Sequence, residues 1–99
     1  MSYQDTLSKH RRLAILRHLA HSAAYTSNAS ILVDVCNGVG VTSSRAQIEA
    51  DLGWLEEVSL VTLARAGDFI VVSATERGVE VAEGRAFNDG VQRPRPGAR

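Results

Sequence analysis

The stretch "LVTLARAGDFIVVSAT", residues 60–75, constrains this chain more than any other. Two β-rich runs, Leu60–Arg65 and Phe69–Ala74, flank Ala66-Gly67-Asp68, where glycine supplies the positive φ that a tight hairpin turn needs. An isolated hairpin is marginal in water and must lay one face on something apolar. The flanking segments supply that surface, because both are helical in pattern. Upstream, "VTSSRAQIEADLGWLEEVS" repeats Ile48, Leu52 and Leu55 at helical spacing, with Trp54 and Val58 widening the stripe. Thr42, Ser43 and Ser44 are cap candidates, and Ser44 with Gln47 has capping-box spacing, so a helix is predicted over about 43–58. Downstream, Thr75 caps "ERGVEVAEGRA", whose Val79, Ala82 and Ala86 face one way.

The first forty residues carry two more helices. "DTLSKHRRLAILRHLAHSA" places Leu13, Leu16 and Ala20 at helical spacing beside Ile15 and Leu19, which predicts an amphipathic helix over about 6–22 with Asp5 or Thr6 as N-cap. "YTSNASILVDVCNGVGV" reads as a short loop and a helix capped by Ser27 or Asn28. Its stripe is Ile31, Leu32, Val35 and Val39, and Asn37-Gly38 and Gly40 stop it. The last residues, "FNDGVQRPRPGAR", hold both prolines and Arg93, Arg95 and Arg99, the composition of an extended or disordered arm. The predicted order is α-α-α-β-β-α plus a C-terminal arm: mainly α with a β-hairpin wing, the elements of a winged helix–turn–helix. The expected division is a domain over 1–87 and a basic, proline-containing arm over 88–99.

Composition narrows the function. Ninety-nine residues fit one domain, and 44% apolar with 22% charged residues is ordinary for a globule. Eleven Lys and Arg balance eleven Asp and Glu, so a positive surface for phosphate must be local. One cysteine, Cys36, permits no internal disulfide and lies in an apolar stripe, which predicts a core role. A polar start and short apolar runs predict a cytoplasmic protein without a membrane span. His18 and His21 stand one helical turn apart, but no carboxylate or cysteine completes a ligand set with them or His10. With no nucleophile–base pattern and no phosphate-binding glycine loop, neither an enzyme, a cofactor nor a small-molecule ligand is expected.

"DLGWLEEVSLVTL" followed by "SATERGVEVAEG" resembles two hallmarks of winged-helix regulators of the ArsR-like and PadR-like kind. These are the exit of the recognition helix into the wing and the "T-x-x-G" that opens the next helix. Ser59 stands where those families commonly carry glycine. More narrowly, "RRLAILRHL" (Arg11–Leu19), "DLGWLEE" (Asp51–Glu57) and the basic proline-bearing end (Gly90–Gly97) resemble a small family encoded by Mu-like bacteriophages and prophages. That resemblance spans nearly the whole chain and implies the winged-helix fold. ArsR-like metal sensing does not carry over, because it needs clustered Cys or His ligands.

The expected function is binding of double-stranded DNA by a homodimer that regulates phage or prophage transcription. Ser43 and Ser44 would donate to phosphates, and Arg45 and Gln47 would reach base edges from the first turn of the third helix. Arg65 on the wing, with Arg93 and Arg95 in the arm, would meet phosphates. Helix 1 adds Lys9, Arg11, Arg12 and Arg17. Against this stands an acidic strip, Glu49, Glu56 and Glu57, with Asp51 in the same helix. That strip motivates an alternative: a non-catalytic protein–protein interaction module on the same scaffold, without DNA binding. Ala46, Ala50 and Gly53 make a smooth strip where another helix can come close.

Overall fold

The computed structural model describes residues 2–95. Its elements run α1 (Tyr3–Ala20), a 3-10 turn (Ala23–Tyr25), β1 (Thr26–Asn28), α2 (Ala29–Gly38), α3 (Arg45–Glu57), β2 (Val61–Ala66), β3 (Phe69–Ala74) and α4 (Glu76–Ala82). The described residues form a mixed α/β globule of four α-helices and one antiparallel sheet with strand order β1-β3-β2. Ile15, Leu16 and Leu19 of α1, Leu32 of α2, Ile48, Leu52 and Leu55 of α3, and Val61 and Val72 of the sheet meet in one core, each essentially removed from solvent.

Two features depart from the predicted order. The segment expected to be a loop before α2 turns at Ala24 and Tyr25, both at positive φ (54° and 55°), and then forms β1. Thr26, Ser27 and Asn28 pair with Ser73, Val72 and Val71, and the Thr26 and Ser73 hydroxyls lie 2.8 Å apart. Three residues are too few to show a period of two, so this strand had no readable pattern. The first helix also begins at Tyr3 rather than near residue 6. Ser2 accepts from the Asp5 amide and Asp5 accepts from the Ser2 amide, a reciprocal box that makes Asp5 the third helical residue, not the cap.

Asn28 caps α2 by accepting from the Ile31 amide at 2.9 Å. The predicted apolar stripe of α2 splits: Ala29, Leu32 and Cys36 are buried, whereas Ile31 and Val39 are exposed. From α2 the chain reaches α3 through a bracket built by one side chain. Asn37 donates to the Val33 and Ser43 carbonyls (2.8 and 3.0 Å) and accepts from the Ser43 amide at 3.0 Å. Ser44 and Gln47 then form the predicted capping box of α3. Ser59, at φ 64°, turns the chain out of α3, with the Leu60 amide donating back to the Leu55 carbonyl at 2.9 Å. A left-handed residue is how helices commonly end, and serine holds the position here in place of glycine.

The hairpin register pairs Val61 with Ala74 and Ala66 with Phe69, so β2 runs through Ala66 and the turn is Gly67-Asp68, one residue shorter than expected. Thr75 connects sheet to helix twice. Its amide donates to the Leu60 carbonyl and its hydroxyl to the Ser59 carbonyl at 2.8 Å, while the same hydroxyl oxygen accepts from the Gly78 amide. A Cβ at Gly78 would stand 2.1 Å from the Leu60 carbonyl oxygen. The "T-x-x-G" pattern is therefore a cap plus the close approach of α4 to the chain entering β2. That helix ends at Ala82, short of the predicted length, where Gly84 takes φ 79°.

The tail reading needs the largest correction. Residues 90–92 form a strap held against α1, and the exposed Arg93 and Arg95 follow it. Val91 is 5% exposed, the Gln92 amide donates to the Lys9 carbonyl at 3.2 Å, and Arg93 lies 3.8 Å above the Phe87 ring. Residues 96–99, including Arg99, lie outside the described residues.

Candidate nucleic-acid interface

α3 must be fixed to the rest of the molecule before its exposed side can present anything. The fixing is polar as well as apolar. Arg11 of α1 is 2% exposed and directs its guanidinium into the core: Nε donates to Ser43 Oγ at 2.7 Å, Nη1 to Asp51 at 3.0 Å and Nη2 to the Thr42 carbonyl at 3.3 Å. Arg12 donates from Nε to the other Asp51 oxygen at 2.9 Å and from Nη1 to the Gly90 carbonyl at 2.9 Å, and its guanidinium lies 4.0 Å from the centre of the Trp54 ring. Asp51 is thus a buried carboxylate held by two arginines, and no buried side-chain nitrogen or oxygen among the described residues lacks a partner. The segments "RRLAILRHL" and "DLGWLEE" are the two halves of this clamp, and Gly90 of the strap closes it.

These roles differ from those expected of the same residues. Arg11 and Arg12 do not form a basic surface on α1, and Asp51 is a buried carboxylate, unlike the exposed Glu49, Glu56 and Glu57 of the same helix. A signal for this was present: Arg11 precedes Ile15 by four residues and Asp51 follows Ile48 by three, so both sit on core-facing stripes. Ser43 is likewise withdrawn from any ligand. Its hydroxyl accepts from Arg11, donates to the Val41 carbonyl at 2.8 Å and is buried.

The remaining expected residues separate into two groups. Ser44, Arg45 and Gln47 share the first turn of α3, and Arg45 meets Arg65 in one shallow hollow with Glu49, Asp68 and Ile70. Ser44 Oγ and Gln47 Oε1 are used by the capping box, which leaves the Gln47 amide nitrogen as the donor not spent on it. Arg45 ties three elements together: Nε pairs with Glu49 at 2.8 Å, Nη1 donates to Ser30 Oγ at 3.2 Å, and Nη2 donates to the Asp68 carbonyl at 2.9 Å. Arg65 is exposed on β2, on the same side of the strand as Val61 and Leu63. Arg93 and Arg95 stand apart from this hollow, just after the strap.

The hollow therefore holds two guanidiniums and two carboxylates, a neutral mosaic rather than a positive patch. The bonds from Arg45 to Ser30 and to the Asp68 carbonyl were unforeseen, because contacts between residues 15 and 23 positions apart leave no local pattern. The Arg45–Glu49 pair was visible as an i,i+4 spacing. Elsewhere, burial pushes the Cys36 thiol up to about 11, so it stays protonated near neutrality and acts as a small core residue. Among the described residues, no three His, Cys, Asp or Glu side chains come together as a metal site, and no helix is long and apolar enough to cross a membrane.

No family model matches the chain, and no solved structure matches it. Two proteins do. The uncharacterized protein gp26 of Escherichia phage Mu is 45% identical over 94 residues, covering 95% of this chain and 97% of the phage protein. An uncharacterized protein of Haemophilus influenzae (strain ATCC 51907 / DSM 11121 / KW20 / Rd) is 37% identical over 78 residues, covering 78% of this chain and 76% of that protein. Identity at this level across nearly the full length leaves one conclusion: the chain belongs to the family of small phage-related proteins that includes gp26 of Escherichia phage Mu.

Proposed function

We propose that the protein is a winged helix–turn–helix of the ArsR-like and PadR-like kind that binds double-stranded DNA as a homodimer and regulates transcription. The observation carrying this reading is the tie between α3 and the hairpin tip. Arg45 in the first turn of α3 donates to the Asp68 carbonyl at 2.9 Å, which joins the helix that would enter a major groove to the tip of the wing that would flank it. The sheet supports it, since β1 fastens the hairpin to the helical half through β3.

In this reading the first turn does the work. Gln47 offers its amide nitrogen to base edges, and Arg65 meets a phosphate. Arg45 exchanges Glu49 for the nucleic acid. The exchange is inexpensive, because an exposed pair of this kind contributes about 0.3–0.5 kcal/mol. Affinity rests on few cations and falls steeply with salt. A fluorescence-anisotropy titration of mixed-sequence duplex in about 50 mM salt is the test, with binding expected at micromolar protein. Absence of binding to every duplex tried rejects the proposal.

A specific observation favours a second reading, the protein-interaction module. Ala46, Glu49, Ala50, Glu56 and Glu57 are all exposed, so the solvent side of α3 is smooth and acidic. Under that reading a protein partner covers α3, and the duplex titration stays flat.

A further inference from the structure

A groove runs between α1 and the end of α2, sharing no residue with the hollow at the hairpin tip. His10, Arg17, His18 and His21 line its α1 wall, at spacings that place them along one side of the helix. The opposite wall is aliphatic, formed by Val35, Val39 and Val41, and the Val39 side chain is 64% exposed. No Asp or Glu lines it. Arg17 is half-buried there and has no ion-pair partner among the described residues, whereas Arg11, Arg12, Arg45, Arg77 and Arg85 are each paired with a carboxylate.

We infer that this groove is a docking site for an acidic amphipathic helix of a partner protein. Charge decides the sign of the partner: one unpaired guanidinium and three imidazoles, with no carboxylate among them, call for Asp or Glu. The walls decide its shape. One is the helix α1 and the other is the end of α2 with the turn after it, and neither is a strand, so an extended peptide would find no sheet edge to pair with. A helix instead arrives with its own backbone satisfied and lays an apolar stripe on the valines. Length agrees, since residues 10 to 21 of α1 span about 16 Å, matched by a partner helix of about eleven residues. Nucleic acid fits poorly, because an aliphatic wall offers its bases no aromatic ring to stack on.

The test is a titration of the full chain, labelled with 15N, with a capped helical peptide of about twelve residues bearing Leu at i, i+3, i+4 and i+7 and Glu elsewhere. A second peptide carries Lys in place of each Glu. The Glu peptide is expected to shift amide resonances at Arg17, His18, Val35 and Val39 and to bind at least about tenfold more tightly than the Lys peptide. Arg17→Glu and Val39→Asp are each expected to weaken it about tenfold or more, with circular dichroism and urea midpoint confirming that both variants fold. Equal binding of the two peptides, or none by about 1 mM, overturns the inference. Concentration-dependent shifts of the same resonances without peptide also overturn it, by giving the groove to a second copy. The duplex titration reads a different surface, so either proposal can fail without the other.

Discussion

Asp51 is the residue on which the most structure converges. Its carboxylate accepts from Arg11 and Arg12 and so joins α1, α3 and, through Arg12 and Gly90, the strap. Bringing three charges out of water is expensive, and the cost is offset only where every donor is met. Here Ser43, the Thr42 carbonyl and the Gly90 carbonyl take the arginine donors that Asp51 does not. Removing the carboxylate strands a buried guanidinium. Asp51→Ala is expected to lose about 3–5 kcal/mol in urea-induced unfolding. A loss below about 1 kcal/mol would mean that water reaches Arg11 and that the clamp is not a buried one.

At the scale of elements, the helix ends and the hairpin were the most readable parts. Capping leaves a local signature, and Ser44 with Gln47, Thr75 with Gly78, and Gly67 at the turn each sit where the chain's own pattern puts them. Ser59 is the exception that proves costly. Its left-handed conformation burdens a Cβ that glycine would not carry, so Ser59→Gly is expected to raise stability by about 0.5–1 kcal/mol, read as a higher urea midpoint at unchanged slope. What stayed illegible was set by long-range partners. β1 depends on Ser73, Val72 and Val71, and the buried arginines read as surface because a charge in a helix is usually solvated. The strap read as solvent-exposed from its prolines and arginines, although one small contact decides its position. A Cβ at Gly90 would fall 2.4 Å from the Trp54 ring, over which the Arg12 guanidinium also lies. Gly90→Ala is expected to lift the strap, moving Trp54 emission to longer wavelength while the far-ultraviolet circular dichroism of the helices is retained. Unchanged emission would show that the ring yields instead.

For the whole molecule, the question is how a neutral chain presents itself to a charged polymer. The molecule measures 38 Å along its longest axis, and under the proposed homodimer reading the two α3 helices would have to stand roughly 34 Å apart, one DNA turn. Under that reading, affinity would depend on how many cations are released from internal carboxylates. Glu49→Gln frees Arg45 at both half-sites. It is expected to strengthen duplex binding and to steepen the slope of log K against log salt by about two for a dimer. Weaker or unchanged binding would separate Arg45 from the DNA. The same logic limits what composition can reveal, since equal totals of acid and base say nothing about Asp51 lying inside and Arg17 lying at a groove.

The hydrogen bond from the Gln92 amide to the Lys9 carbonyl has a consequence for connectivity. It brings the late chain back beside the first helix, so the path of the backbone is close to a loop on itself. Because both partners are backbone atoms, side-chain changes at 9 or 92 leave the bond in place, and Gln92→Pro, which removes the amide hydrogen, is the substitution that breaks it.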